Sequence, residues 1–477
     1  MQKKIRKAGI AVPPIEDFYH TSHRFSSLGA VSLKRVLQLS GIESELHNFP
    51  GLRKKGVPII FPEYLSHLKP HILPDEYGGT SFFTSYRRFS ADYRECAGNL
   101  IKKGYDRIYI SLFAYCYAQE AVRLAEALRD MSYKNDIIIG GAGVTVNPLY
   151  FESSFPGIVL PGSAETVLPG YPGSTVKEIT ELPFLWSVTG SRKGRIQVSA
   201  MLSRGCPRHC KFCANYLVHG RNFRTVLLRE IERELQYFPS GAPIHINFED
   251  DNILNAPEYF TGVLKLIGRK FPGATFSAEN GLDYHLLSPE MMETLISLGF
   301  ISFRFTLGSA RSNVLQCQNR PGDTDRLRVL CGLADSRGIP VTVYFICGLE
   351  NDTPESTAET LTLAAELPVL SGISMFYPVP GIPGFTDPHL LNTYHPGLFK
   401  GSSAYPWTGS LTTRALITAF RISRFINLER KKRLTPDEEQ LISVIRKSGR
   451  LHTFVKNKNG SRPVPHTDPD LEKLFFY

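Results

Sequence analysis

Three of the chain's eight cysteines fall within one short loop, Cys206-Pro-Arg-His-Cys210-Lys-Phe-Cys213. A CxxxCxxC spacing commits this segment to wrap a single inorganic centre, and so constrains the fold on both sides of it. A structural zinc site needs four protein ligands in closed tetrahedral geometry. Iron–sulfur clusters are normally held by four cysteines, so three thiolates imply a fourth ligand from outside the protein and one open iron. Cys96, Cys116, Cys317, Cys331 and Cys347 supply no second CxxC. A zinc knuckle, or three unrelated core cysteines, is the alternative reading of the same loop.

Phe212, directly before the third cysteine, completes a CxxxC-aromatic-C pattern, and Ser203-Arg204-Gly205-Cys206-Pro207 leads into it. These residues resemble the signature of the radical S-adenosylmethionine (SAM) enzymes, in particular the subset with an N-terminal cobalamin-binding domain. The resemblance implies a [4Fe–4S] cluster on Cys206, Cys210 and Cys213, with Phe212 at the cofactor. It also implies SAM on the open iron and cleavage of SAM to a 5′-deoxyadenosyl radical.

The 477 residues suggest two or three domains, and 42% hydrophobic content is that of an ordinary globular protein. No run of about 18 apolar residues is present to span a membrane. Behind the basic start, Pro13, Pro14, Glu16 and Asp17 stand where a signal peptide needs an apolar core. A reducing cytoplasm is therefore the expected location, where thiolates stay available to iron. The net charge of +10 is scattered, apart from Arg53-Lys54-Lys55 and Arg430-Lys431-Lys432-Arg433. No nucleic-acid-binding motif accompanies it, so a solvated surface is the expectation.

Residues 1–170 alternate strand and helix patterns. Ile10-Ala-Val, Asp106 to Phe113, Ile137-Ile-Ile and Ile158-Val-Leu read as strands, while Leu28 onward and Gln119 to Arg129 read as helices. Repeated strand–loop–helix units predict a doubly wound, Rossmann-like α/β domain whose ligands sit at the carboxyl ends of its strands. Residues 171–195, with Pro172, Gly173, Pro183 and Gly190, read as a linker. From 196 to 388, strand patterns at Ile196 to Leu202, Ile244 to Phe248, Thr275 to Ala278, Phe300 to Leu307, Val341 to Ile346 and Ile373 to Tyr377 predict a partial, six-stranded TIM-like barrel. Intervening helices are expected at Arg224 to Phe238, Glu290 to Leu298 and Asp323 to Ser336. Residues 389–477 read as a helical C-terminal region, with helices over Leu411 to Asn427 and Pro436 to Lys447.

The order of the N-terminal segments resembles the cobalamin-binding domain of that radical SAM subset. The resemblance implies that Ser111, Gly140, Gly141, Gly143, Gly162 and Glu165 line cobalamin. The chain departs from the family in reading Gly162-Ser163-Ala164-Glu165 for the usual GEGE, and in lacking the DxHxxG motif whose His binds cobalt. Asp17, His20 and His23 stand in the corresponding loop at another spacing.

In the barrel, Glu249-Asp250-Asp251-Asn252 follows the second strand, and the resemblance places Glu249 and Asp250 at SAM's amino group. The fourth strand ends in Gly308-Ser309 where relatives carry Glu-Ser, which leaves Ser309 as the expected contact. Arg304 on that strand suits a carboxylate or phosphate, or a polar barrel lining. Phe345-Ile-Cys-Gly348 resembles a loop that approaches adenine, through Gly348. Asp352-Thr353 reads as a turn and helix cap, Cys347 as packing, and Phe376-Tyr377-Pro-Val-Pro380 as a substrate mouth.

These readings predict a cobalamin-dependent radical SAM methyltransferase acting on an unactivated carbon of a small-molecule or peptidyl substrate. Its electrons would come from a flavodoxin or ferredoxin. A radical SAM enzyme of another reaction type, with a repurposed cobalamin domain, is the second reading; a non-enzymatic redox or cobalamin sensor is the third.

Overall fold

The structure, a computed structural model, describes residues 5–19, 27–51, 56–72, 85–171, 174 and 177–429. His20, His23, Pro172, Gly173, the two basic runs and the expected helix Pro436 to Lys447 lie outside the described residues.

The N-terminal domain is built on a five-stranded parallel sheet in the spatial order Glu43–Asn48, Lys7–Val12, Arg107–Ser111, Asp136–Gly140, Ile158–Leu160. The order reverses beside Lys7–Val12, as doubly wound sheets require. The sheet is buried on both faces because its strands are apolar at successive positions. Ile108, Ile110, Ile137 and Ile139 pack into a core with the helices Tyr93–Ile101 and Ala118–Asp130. Ile10, Val12, Tyr109 and Ile138 face the other way, onto the helix Leu28–Leu39.

Six parallel strands follow in two groups. Arg195–Met201, Ile244–Phe248 and Thr275–Ser277 pair side by side, as do Phe303–Gly308, Val341–Cys347 and Leu370–Met375. Bridges at Phe276–Phe300 and Leu282–Phe305 join the groups into one open barrel wall. Helices Pro257–Lys270, Pro289–Ser297, Thr324–Ser336 and Pro354–Glu366 cover its outside around one apolar core. The last is started by a capping box of Thr353 and Ser356.

Three segments differ from the sequence-based expectation. Residues 171–195 are not linker throughout: Leu185–Arg192 is a strand, paired antiparallel with Arg195–Met201. The tight connection passes through Lys193 and Gly194, both at positive φ (47° and 72°), the geometry of a two-residue hairpin. The helix expected from Arg224 starts only at Leu228, because Arg224–Thr225 pairs with Ser203–Arg204. The C-terminal region, besides the helix Thr413–Glu429, returns to the N-terminal domain. Asn392 accepts a 2.8 Å bond from Asn147, and Leu391 and Phe399 join the N-terminal core.

Candidate active site

The cysteine loop leaves the carboxyl end of Arg195–Met201 and is clamped from the neighbouring strand. Asp250 Oδ1 accepts from Leu202 N (3.0 Å) and Ser203 Oγ (2.6 Å), while Asp251 Oδ2 accepts from Gly205 N (2.8 Å). Gly205 has φ of +86°, and a Cβ there would strike the Asn222 carbonyl, so only glycine admits this approach. Cys206, Cys210, Phe212 and Cys213 all line one cavity of about 1120 Å³ inside the barrel. Among the described residues, no three His, Cys, Asp or Glu side chains converge on a single-ion site.

Each thiol sits in a prepared setting. Asn252 Nδ2 donates to Cys206 Sγ (3.9 Å), and Arg320 Nη1 donates to Cys210 Sγ (3.8 Å). Burial pushes the Cys213 thiol up to about 11, and burial likewise raises Cys206. A bound cation would offset this cost by drawing off the protons.

The carboxylates expected at SAM separate in the structure. Asp250 turns away from the cavity, and burial raises it to about 7 despite its bond from Ser203 and the charge of Arg204. Glu249 accepts from Asn247 Nδ2 at 3.4 Å and is not among the lining residues, whereas Asp251 and Asn252 are. Ser309 also faces away, 3.4 Å from Thr360 Oγ1, while Gly308 lines the cavity with φ of +90°. Gly348, at φ of +83°, is engaged by Asp352, which accepts its N–H at 2.8 Å, and by Thr408, which donates to its carbonyl at 2.9 Å. Arg304 is buried, with Nη1 3.3 Å from the Phe303 carbonyl. Cys347 is a buried core residue. The loop 376–384 rests on the helix Asn215–His219 behind the cysteines, with Tyr216 OH donating to Gly381 O at 3.4 Å.

A charged group that the sequence reading missed completes the wall. Asp283 Oδ2 accepts from Arg208 Nε (2.8 Å), while Asp283 Oδ1 lies 2.9 Å from His285 Nδ1 and 3.8 Å from Arg320 Nη2. Burial works against the Asp283 charge, but the His285 bond and the two guanidiniums hold its carboxyl well below the usual range. Asp283, Arg208 and Arg320 come from three separate loops, so no local pattern marks them; they are recognisable only once the barrel brings those loops together.

A second, smaller cavity of about 140 Å³ opens at the carboxyl ends of the N-terminal strands. Ser111, Gly140, Gly141, Gly162 and Glu165 line it. Gly143 does not: its Cα packs so closely on Leu112 and Ala114 that a Cβ would fall 2.6 Å from the Ala114 backbone. Asp17, from the loop where cobalt ligation is conceivable, instead accepts from Phe18 N (2.7 Å) and Tyr117 OH (2.9 Å). The cysteine loop serves both cavities: its cysteines line the larger, and Arg204 and His219, on either side of them in sequence, line the smaller. Arg204 lies 3.9 Å from Glu165, and His219, which lines the second cavity, has Nδ1 2.8 Å from Asp251, which lines the first.

Comparison with known proteins agrees with this layout. Residues 201–364 match the radical SAM superfamily. Bacteriochlorophyllide d C-12(1)-methyltransferase of Chlorobaculum tepidum is 25% identical over 233 residues, 46% of this chain and 49% of that protein. Cytidylyl-2-hydroxyethylphosphonate methyltransferase of Streptomyces wedmorensis is 25% identical over 162 residues, 34% of this chain and 29% of that protein. The chain thus spans about half or less of the length of these curated relatives. In fold it is similar to the radical SAM methyltransferase TsrM of Kitasatospora setae, solved with cobalamin and a [4Fe–4S] cluster (TM-score 0.54, 13% identity, 80% of this chain and 77% of that one). It is also similar to the cobalamin-dependent radical SAM enzyme OxsB (TM-score 0.51, 14% identity, 90% and 61%). No helix among the described residues is long and apolar enough to cross a membrane.

Proposed function

We propose that this chain, whose residues 201–364 form a radical SAM domain, is a cobalamin-dependent radical SAM methyltransferase that methylates an unactivated carbon. The observation that supports the reading is that one loop serves both cavities: the cysteines line the larger, Arg204 and His219, which flank them in sequence, line the smaller, and His219 pairs with Asp251 of the larger.

The donor set fits a cluster better than a single ion. Three thiols line one cavity without converging, and two of them already receive a hydrogen bond from a side-chain N–H. A cluster carried on Cys206, Cys210 and Cys213 would supply the electron that cleaves SAM, and a cobalamin seated with one part against the second cavity, whose volume of about 140 Å³ cannot enclose the whole molecule, would supply the methyl group. The cavity of about 1120 Å³ exceeds the roughly 300–1,000 Å³ of a site for one small ligand, leaving room for SAM and part of a substrate. Asp251 and Asn252, rather than Glu249 and Asp250, are placed to meet a cationic amine there. Phe212 and Gly308 shape the cavity wall without adding charge. Ser111, Gly140, Gly141, Gly162 and Glu165 are the residues we assign to cobalamin. They stand at the carboxyl ends of the strands, where doubly wound sheets bind their ligands.

Barrel depth serves the chemistry by excluding water from a reactive radical; the aromatic and proline loop 376–384, expected at a substrate mouth, packs on the helix Asn215–His219 and contributes no lining residue to the cavity. A low-potential flavodoxin or ferredoxin as electron donor, and a cytoplasmic location, belong to the same proposal. The test is reconstitution with iron, sulfide and hydroxocobalamin, followed by reduction in the presence of SAM. Retention of about one cobalamin per chain, with both S-adenosylhomocysteine and 5′-deoxyadenosine formed, is the expected result. 5′-Deoxyadenosine without any cobalamin retention would refute the methyltransferase reading and favour another radical reaction.

A further inference from the structure

Arg320 is placed unlike any other cation of the cavity. Its Nη1 donates to Cys210 Sγ at 3.8 Å, and its Nη2 is held by Thr306 O (2.6 Å) and Thr306 Oγ1 (2.8 Å), with Asp283 Oδ1 at 3.8 Å. The guanidinium is buried and its Nε has no hydrogen-bond partner. It stands against Gly308: a Cβ at position 308 would lie 3.8 Å from Arg320 Cδ and 2.8 Å from Leu315 Cδ2. A longer residue at 308 would therefore press on the arginine, and the glycine leaves it room. The other side-chain donor to a cluster cysteine, Asn252 on Cys206, is neutral.

We propose that Arg320 is a positioning residue that raises the reduction potential of the cluster held by Cys206, Cys210 and Cys213, by presenting a fixed positive charge and an N–H to the Cys210 sulfur. This inference rests on the cluster assignment made above. A cluster held by these thiolates would gain one negative charge on accepting an electron from a low-potential donor, with no proton required to move. A guanidinium in contact with one of those sulfurs stabilises the reduced form more than the oxidised form, because hydrogen bonds and charge at the sulfurs set cluster potentials. The low effective dielectric of a buried site strengthens that preference. Asp283 would soften the effect were it the arginine's sole partner, but Arg208 and His285 share its charge.

The experiment is an EPR-monitored redox titration of the reconstituted full chain, comparing the natural protein with Arg320→Met, Arg320→Lys and Thr306→Val. Arg320→Met should lower the ratio of reduced to oxidised cluster at a fixed potential about tenfold, which for a one-electron couple is about 59 mV in midpoint. Arg320→Lys should recover part of that shift, since it returns the charge without the fork. Arg328→Met, which removes an exposed guanidinium paired with Glu366 on the outer surface, should leave the midpoint where it was. About four irons per chain with an unmoved midpoint in Arg320→Met would overturn the inference while leaving the cluster intact. No cluster in the natural protein would instead refute the cluster assignment. Should Arg320→Met fail to hold iron, Thr306→Val decides: it frees one clamp on Arg320 and should shift the midpoint in the same direction, and no shift overturns the proposal.

Discussion

Lys400 offers the sharpest test of how the C-terminal segment is bound. Its ammonium is buried, donates to Glu16 O (2.9 Å) and Tyr86 OH (3.2 Å), and lies 3.4 Å from Asp17 Oδ2. It also stands over the rings of Tyr86 (5.1 Å) and Tyr117 (5.4 Å). Burial alone would drive the lysine neutral, but Asp17 and the surrounding acidic groups hold it charged, well above its ordinary range. Lys400→Met keeps the volume of the chain and removes the cation, so the buried Asp17 carboxylate keeps its bonds from Phe18 N and Tyr117 OH but loses the charge that balances it. Breaking one side of a buried pair costs about 3–5 kcal/mol. At roughly 1.4 kcal/mol per tenfold, amides of residues 396–404 should exchange about 100-fold to 4,000-fold faster than in the natural protein. Asp17→Asn added to Lys400→Met should return a good part of the loss, because the stranded charge goes with it. Hydrogen exchange read by mass spectrometry gives both numbers. A Lys400→Met protein with exchange within about threefold of natural, or a double variant no better than the single, would refute the pairing argument.

Other outcomes follow from the sites. Replacing Cys206, Cys210 or Cys213 by Ala should each abolish the uptake of about four irons per chain, while Cys317, Cys331 and Cys347 replaced in the same way should leave iron content unchanged. Gly141→Ala should destabilise the N-terminal domain by about 1–3 kcal/mol in denaturant unfolding and weaken cobalamin retention, since φ is +103° and the new Cβ would fall 2.5 Å from the Leu112 carbonyl. Burial, aided by the charges of Arg123 and Lys400, lowers His395 to about 4, where its ring stacks on Tyr64 and bonds Gln119. A histidine depressed below its unfolded value contributes stability that is complete above about pH 6.5 and is lost as the pH falls through about 4. Thermal melts should therefore drop across that window, by on the order of 1–2 kcal/mol for this partly exposed ring, and His395→Gln should flatten the drop.

The parts legible in the sequence are those whose signal is local. The cysteine loop announces itself by spacing. The parallel strands announce themselves by unbroken apolar runs such as Ile137-Ile-Ile, and the caps by Asp323 and Thr353. The strand Leu185–Arg192 was hidden because its residues alternate between half-buried and exposed, with Gly190 inside; the Lys193-Gly194 turn was its one local mark. Asp283, Arg320 and Lys400 were not legible because each gains its meaning from partners about 40 to 380 residues away, on other loops.

The choice between Asp250 and Asp251 is a different case, since the deciding signal was present. In Ile244–Phe248 the even positions, Ile244, Ile246 and Phe248, enter the apolar core, while His245 and Asn247 line the cavity. Side chains along a strand alternate faces with a period of two. Carried past the end of the strand, that parity puts Asp250 on the core side and Asp251 on the cavity side, which is where each is found. The fourth strand repeats the rule: Phe303, Phe305 and Leu307 are core residues, Thr306 and Gly308 face the cavity, and Ser309 turns to Thr360. A motif match chooses a loop, but the pleat of the strand before it chooses which residue of that loop can touch a ligand.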